Sequence, residues 1–360
     1  MLTTTASTLQ HIAHILSFSY SKERLKSTLK GFHEEQWEQM VKVGSAHLVL
    51  PAIYCRLQQK QLLYVLPQEL ETYLEDMTAI NRNRNKTILK EAEKISTLLK
   101  THHINHVFLK GVALLVSNFY MDIAERMVGD IDILVSKDQV EAASRLLRNH
   151  NYKYKNTSFG DKYFEYHHDT RLIPTNLNIA AVEIHRDVLH SKADKYLFTD
   201  HILELKRNTN SMNTPAIKHI MEHNMLNFEI NDHGFSFNSL AFRHAYDYVV
   251  LNRFNKYTYS LKNKYSYFFV SKVSSYFCDI EKPKLGLKLG LKLGIKFTVF
   301  KLTKKHKTVN ALNFYMANTI NNIKLISSRI SIFVLNKNYR YEALKDYKRI
   351  LKLIKARFLN

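Results

Sequence analysis

The apolar and polar positions of this chain change rhythm several times, and each change marks an element. Over roughly the first hundred residues the apolar positions recur at helical spacing. Leu70, Tyr73, Leu74 and Met77 follow Pro67, and Ile88, Ala92, Ile95 and Leu99 continue the stripe. The pattern predicts helices here, with Pro67 at a first helical position and Trp37 as an anchor within the lobe. Glu91, Glu93 and Lys94 lie off the stripe and are expected to face solvent. The rhythm then shortens. Val107, Phe108 and Leu109 form an apolar run that breaks at Lys110-Gly111, before a helix-like segment from Val112 to Tyr120. At Asp130-Ile131-Asp132-Ile133 acidic and β-branched residues alternate with the period of two that belongs to a strand.

Further along, Ser136 with Gln139 reads as a capping box, and Val140, Ala143, Leu146 and Leu147 follow at helical spacing. Strand, cap and returning helix make an α/β unit. Tyr152 to Arg171, rich in tyrosine and phenylalanine, predicts strands, and Val182 and Ile184 then alternate with Glu183 and His185. The stretch from Leu226 to Leu251 reads as two helices joined at Asn231–Gly234. In Lys284 to Lys296 the apolar residues all fall on odd positions, which suits a strand or a low-complexity insertion and not a helix stripe. Leu344, Tyr347, Leu351, Ile354 and Phe358 predict a closing helix.

The alternating strand carries the candidate chemistry. If Ile131 and Ile133 face a core, Asp130 and Asp132 stand together on the other side, and two adjacent carboxylates call for a cation between them. A hard divalent ion with oxygen ligands answers that need. If the later strand lies beside this one, Glu183 adds a third carboxylate, to complete a metal site or to act as general base. Gly111 lets backbone N–H groups approach a phosphate, Lys110 adds a point charge and Arg126 a planar donor fork. His185 is expected to play a supporting, structural part. His102, His103 and His106 match no common ligand spacing and read as an exposed loop. His219-Ile220-Met221-Glu222-His223 matches a zinc-protease pattern, but little acid follows it, and the segment reads as a structural helix.

Composition narrows the field. A hydrophobic fraction of 45% suits a chain with a real core. Two distant cysteines, Cys55 and Cys278, argue for a reducing, cytoplasmic setting and against a disulfide framework. The N-terminus lacks the pattern of a signal peptide, and no apolar run is long enough for a transmembrane segment. The formal net charge of +21 is concentrated at one end. From Leu251 onward there are 24 Lys+Arg against 4 Asp+Glu, a net of 24 − 4 = +20. Lysines interleaved with tyrosine and phenylalanine make a nucleic-acid contact through this basic region one use for the charge.

Taken as a set, Leu109-Lys110-Gly111, Arg126 and the D-I-D-I-L-V strand resemble the nucleotidyltransferase fold of the DNA polymerase β superfamily. They are closest to a mostly bacterial, largely uncharacterised branch known as NTP_transf_5. The Trp37 region, Leu66-Pro67 and the Asn81–Asn85 stretch are similar to that branch's helical lead, and Glu183-Ile184-His185 to its acidic-x-His motif. The resemblance covers roughly residues 35 to 250. It implies an α+β fold: a nucleotidyltransferase mixed-sheet core flanked by N-terminal and C-terminal helices. The expected division is 1–100 (helical lobe), 101–205 (core), 206–255 (helical follow-on) and 256–360 (basic region). It also implies a reaction, transfer of NMP from a nucleoside triphosphate to an acceptor with release of pyrophosphate. Asp130, Asp132 and Glu183 would be catalytic and hold Mg²⁺ (or Mn²⁺), and Lys110, Gly111 and Arg126 would bind the nucleotide. The superfamily's Gly-Ser turn is replaced here by Lys110-Gly111-Val112, which leaves the triphosphate grip to backbone amides, Lys110 and Arg126. The acceptor, whether protein, sugar, small molecule or RNA, is open. The alternative is an inactive member of the fold that binds nucleic acid or an anionic surface through its basic C-terminal region.

Overall fold

The structure, a computed structural model, describes residues 5–155, 167–190, 193–254, 263–284 and 290–359. Helices lead: α1 (Thr5–Leu16), α2 (Lys22–Lys30), α3 (Glu34–Ala46), α4 (Leu50–Gln59) and the 34-residue α5 (Gln68–Thr101). The expected stripe is real, since Leu74, Ile88, Ala92, Ile95 and Leu99 are all buried on α5. Trp37 is buried against Phe32.

Five strands follow, β1 (His106–Phe108), β2 (Asp130–Val135), β3 (Tyr152–Tyr154), β4 (Leu172–Pro174) and β5 (Ala181–His185), in the spatial order β1-β2-β5-β4-β3. The short helix α6 (Lys110–Val116) joins β1 to the loop before β2, and α7 (Val140–Arg148) follows β2. β2 and β5 run parallel while the other neighbours are antiparallel, so the sheet is mixed and the class is α+β. Ile131, Ile133, Val182 and Ile184 are fully or almost fully buried, as period two requires of a strand with one face on a core.

After β5 come α8 (Thr199–Glu204), the hairpin β6 (Arg207–Thr209) and β7 (Met212–Thr214), and α9 (Ile217–Leu226), which runs on into a π-turn at Asn227–Asn231. The chain then forms α10 (Gly234–Phe237), α11 (Phe242–Asn252), α12 (Lys264–Val273) and α13 (Gly290–Lys305). It ends in α14 (Lys307–Leu335), α15 (Lys337–Lys345) and α16 (Tyr347–Leu359). One apolar cluster runs from Ile12 in α1 through Ile131 and Ile133 to Phe300 in α13. No helix among the described residues is long and apolar enough to cross a membrane.

Several expectations are corrected. Glu91 does not face solvent. It is 4% exposed, and its carboxylate accepts the backbone N–H of Ile179 at 2.7 Å and of Ala180 at 3.2 Å. Those amides enter β5 and need an acceptor once buried, a demand that overrides the amphipathic pattern of the helix. His106 is no loop residue. It sits fully buried in β1, where burial pushes its imidazole down to about 4, while His102 and His103 are exposed. The Ser136 capping box does not form, because the Gln139 side chain accepts the Asn105 N–H at 2.7 Å instead.

The glycine–leucine repeat is also corrected. Residues 285–289 lie outside the described set, but from Gly290 onward the repeat is helical. Lysine and leucine are strong helix formers, and the odd-position leucines simply distribute around the helix, Leu293 buried and Ile295 61% exposed. The closing helix is broken at Asp346, with Leu344, Tyr347 and Leu351 all more than half exposed.

Candidate active site

The site begins with the long helix α5. Asn81 and Asn85 are buried on it, and their side-chain amides donate to the carbonyls of Ala124 at 2.7 Å, Ile123 at 2.6 Å and Arg126 at 2.7 Å. Arg82 grips Asp122 through two nitrogens, at 3.1 and 2.7 Å. Three polar residues on one helix thus fix the loop that leads into β2. Buried asparagine in mid-helix is costly unless satisfied, so their cost is offset by ordering this loop.

Leu109 donates its N–H to the Asp132 carbonyl at 2.9 Å, which holds the β1–α6 turn against β2. Lys110 then takes φ 47°, in the left-handed region. A residue with a Cβ pays for that conformation, and such strain gathers at functional positions. Here the turn delivers Nζ to Asp132 Oδ1 at 2.6 Å. Gly111 is buried, and a Cβ on it would lie 2.7 Å from Val128 Cγ2. Close packing against Val128 therefore calls for glycine here.

Parallel register does the central work. Asp132 pairs with Glu183 across β2 and β5, so their side chains stand side by side on one face, and His185 follows two residues on. His185 Nε2 lies 2.9 Å from Asp132 Oδ1 and 3.8 Å from Glu183 Oε2. One ligand atom from each of Asp132, Glu183 and His185 falls within 4.8 Å of the others. Donors around a divalent ion bonded at about 2.1 Å stand about 3 Å apart along each edge. The Asp132–His185 edge matches this and the 3.8 Å Glu183–His185 edge is looser, so these three could hold a metal ion. Asp130 shares the face but is ion-paired to Arg171, whose guanidinium also comes within 3.7 Å of Glu183 Oε1.

The electrostatics divide the carboxylates. Burial opposes the charge on Asp132, but Lys110 beside it and the bond from His185 hold it well below the usual carboxylate range. Burial, and then Asp132 itself, raise Glu183. Burial raises Asp130 against the pull of Arg171. Burial lowers His185, which favours the neutral ring.

Arg126 is placed differently from a free phosphate fork. Its side chain is 6% exposed and its Nε is 2.9 Å from Asp247, which also accepts the Tyr120 hydroxyl. The guanidinium lines a cavity of about 110 Å³ that Lys110 borders on the sheet side. His223, Asn224 and Arg243, from α9 and α11, also line it.

The structure therefore brings Lys110, Asp132 and Glu183 together, keeps Asp130 on the same face, and sets Arg126 in the adjoining wall. Sequence reasoning gave His185 too small a part, read His223 only within a structural helix, and passed over Arg171 and Arg243. His185 had a usable signal in its two-residue spacing from Glu183. Arg171 and Arg243 had none, because they come from distant elements, and the motif that marked His223 pointed to a different chemistry.

The nucleotidyltransferase family NTP_transf_5, described as uncharacterised, matches residues 33–260. The chain belongs to this family. No curated protein matches the chain. The family span takes in α3 to α11, and so every residue of the site just described.

Proposed function

We propose that the protein is a metal-dependent nucleotidyltransferase that moves NMP from a nucleoside triphosphate to an acceptor and releases pyrophosphate. The observation that carries this is the Asp132–Glu183 register pair with His185 beside it and Lys110 turned onto it. Asp132, Glu183 and His185 would hold Mg²⁺ or Mn²⁺, and the mixed oxygen and nitrogen set suits the softer Mn²⁺ at least as well. Such an ion, when bound, would neutralise charge on the phosphates and lower the pKa of an oxygen beside it. Asp130 completes the acidic face. It is ion-paired to Arg171 two residues before Asp132 and would be a further ligand if that arginine were engaged elsewhere. Glu183, on the central strand β5, would alternatively take the proton of an acceptor hydroxyl. Lys110 and Gly111 line the approach of the phosphates, with Arg126 behind them, and such catalysis is chiefly positioning and charge stabilisation.

The test is incubation with Mg²⁺ or Mn²⁺, α-labelled nucleotides and cell extract, read as labelled adduct and released pyrophosphate. Asp132→Asn is expected to reduce the signal by at least about a hundredfold. Turnover equal to the parent protein would refute the assignment. A second reading rests on the exposed aromatics Phe314, Tyr315, Tyr341 and Tyr347 among the lysines of α14 to α16. In it, this basic region holds single-stranded nucleic acid by phosphate contact and stacking.

A further inference from the structure

The cavity that Lys110 borders is also lined by two polar groups that the protein engages little or not at all. His223 is 5% exposed, borders the cavity, and its Nε2 is buried with no hydrogen-bond partner among the described residues. Arg243 borders the same cavity and, among the described residues, has no carboxylate within ion-pair distance. Its one hydrogen-bond contact is a long one, Nη2 to His244 Nε2 at 3.5 Å. Every other charged group in the lining is engaged: Lys110 with Asp132, Arg126 with Asp247, and Asp232 with His244. An orphaned buried imidazole nitrogen is costly without a partner, and beside it stands a half-buried guanidinium with no carboxylate paired to it. Both face a space that holds several waters.

We infer that this cavity is a binding site for a phosphate group, held by the Arg243 fork and by a hydrogen bond from His223 Nε2. Phosphate matches the wall because it offers several acceptor oxygens to a planar donor pair and to a single ring N–H. Phosphate brings more negative charge and more acceptor oxygens than a carboxylate, whose two oxygens would both be engaged by the fork before the ring N–H is met. The inference deepens the transferase reading and rests on it for the source of the phosphate: the β- and γ-phosphates of the nucleotide, or a phosphate on the acceptor. It also gives a role to the His219–His223 pattern. The second histidine of that pattern faces the cavity beside Lys110 and has no metal work to do.

The experiment is calorimetric titration of inorganic pyrophosphate into the full chain, with chelator present to remove metal. Binding is expected, weakened about 10- to 100-fold by Arg243→Met, weakened less by His223→Phe, and partly restored by Arg243→Lys. Arg145→Met, an exposed position on α7, controls for the overall positive charge and is expected to change nothing. Circular dichroism and retained Mn²⁺ binding show that each variant is folded. Equal affinity in Arg243→Met and parent, or equal weakening by Arg145→Met, overturns the proposal. Pyrophosphate displacing a nucleoside triphosphate assigns the site to the nucleotide, and simultaneous binding of both assigns it to the acceptor. Because no transfer is measured, a failed labelling assay leaves this result standing on its own.

Discussion

Two lysine–carboxylate pairs lie inside this protein at the same 2.6 Å separation, and their surroundings make them opposites. Lys272 and Glu229 have fully buried side chains. The Phe268 and Phe228 rings stand 4.4 and 5.2 Å from the Lys272 ammonium, which also donates to the Ser239 carbonyl. Burial there outweighs the partner, pushing Lys272 down to about 8 and Glu229 up to about 7. Lys110 is 30% exposed and borders a cavity, and Asp132 takes a second donor from His185. There the partners outweigh burial, so Lys110 is held above its ordinary value and Asp132 below. A closed pair ties α12 to the π-turn and can exchange nothing. The open pair can release its carboxylate to a metal and its ammonium to a phosphate. Burial with an exit distinguishes a site from a structural tie.

The largest expected effect breaks the closed pair. Lys272→Met strands Glu229 in a dry interior and should cost about 3–5 kcal/mol, read by denaturant unfolding. Lys110→Met leaves Asp132 with its His185 bond and access to the cavity, so its cost should stay below about 1.5 kcal/mol. Equal losses from the two would erase the distinction.

A smaller effect concerns pH. The folded value of Glu229, about 7, lies above its ordinary 4.5. Between those values the folded state binds more protons than the unfolded state. The group's contribution is therefore full below about 4.5 and is lost as pH rises to about 7, a slope worth roughly 3 kcal/mol. Glu229→Gln should remove that slope in unfolding measured across pH 4.5 to 7, and a slope unchanged in the variant would count against the buried-charge account.

Smaller again is the turn behind the open pair. Gly111→Ala sets a methyl 2.7 Å from Val128 Cγ2 and should cost about 1–3 kcal/mol. Val128→Ala removes that contact, so the double variant should recover much of the loss. No recovery would show that Gly111 is needed for its backbone and not for the space.

The same contrast explains what the sequence could disclose. Ile131, Ile133, Val182 and Ile184 announced their strands by alternation, and the D-x-D and E-x-H spacings followed from it, because a face is a local property. The placement of β5 beside β2 had to be supposed, and the parallel register of Asp132 with Glu183 shows it. Glu91 and His106 were misread because their partners, the β5 amides and the sheet interior, lie far off in sequence. Arg243 and His223 could not be joined as site residues for the same reason, since only the packing of α9 against α6 and α11 gives them a shared cavity. The leucine–glycine repeat failed differently. Period two was a true pattern, but helix propensity and the burial of Leu293 and Phe300 decided the outcome.

The smallest stability effect, and the sharpest test of the charged end, lies in α16. Lys352 and Lys355 are exposed there and belong to neither lysine–carboxylate pair. Lys352→Gln with Lys355→Gln should change unfolding free energy by less than about 0.5 kcal/mol, as surface substitutions do. If this helix grips nucleic acid, removing two phosphate contacts should reduce the slope of log affinity against log salt by about 1.4–1.8 for a single-stranded or duplex probe. The slope is the decisive quantity, because a net charge of +21 attracts any polyanion weakly. A diffuse field would lose affinity in proportion to total charge, two parts in twenty-one, and scarcely alter the slope. A slope lowered by the full amount places the contact on α16 and separates that surface from the pocket chemistry at Arg243.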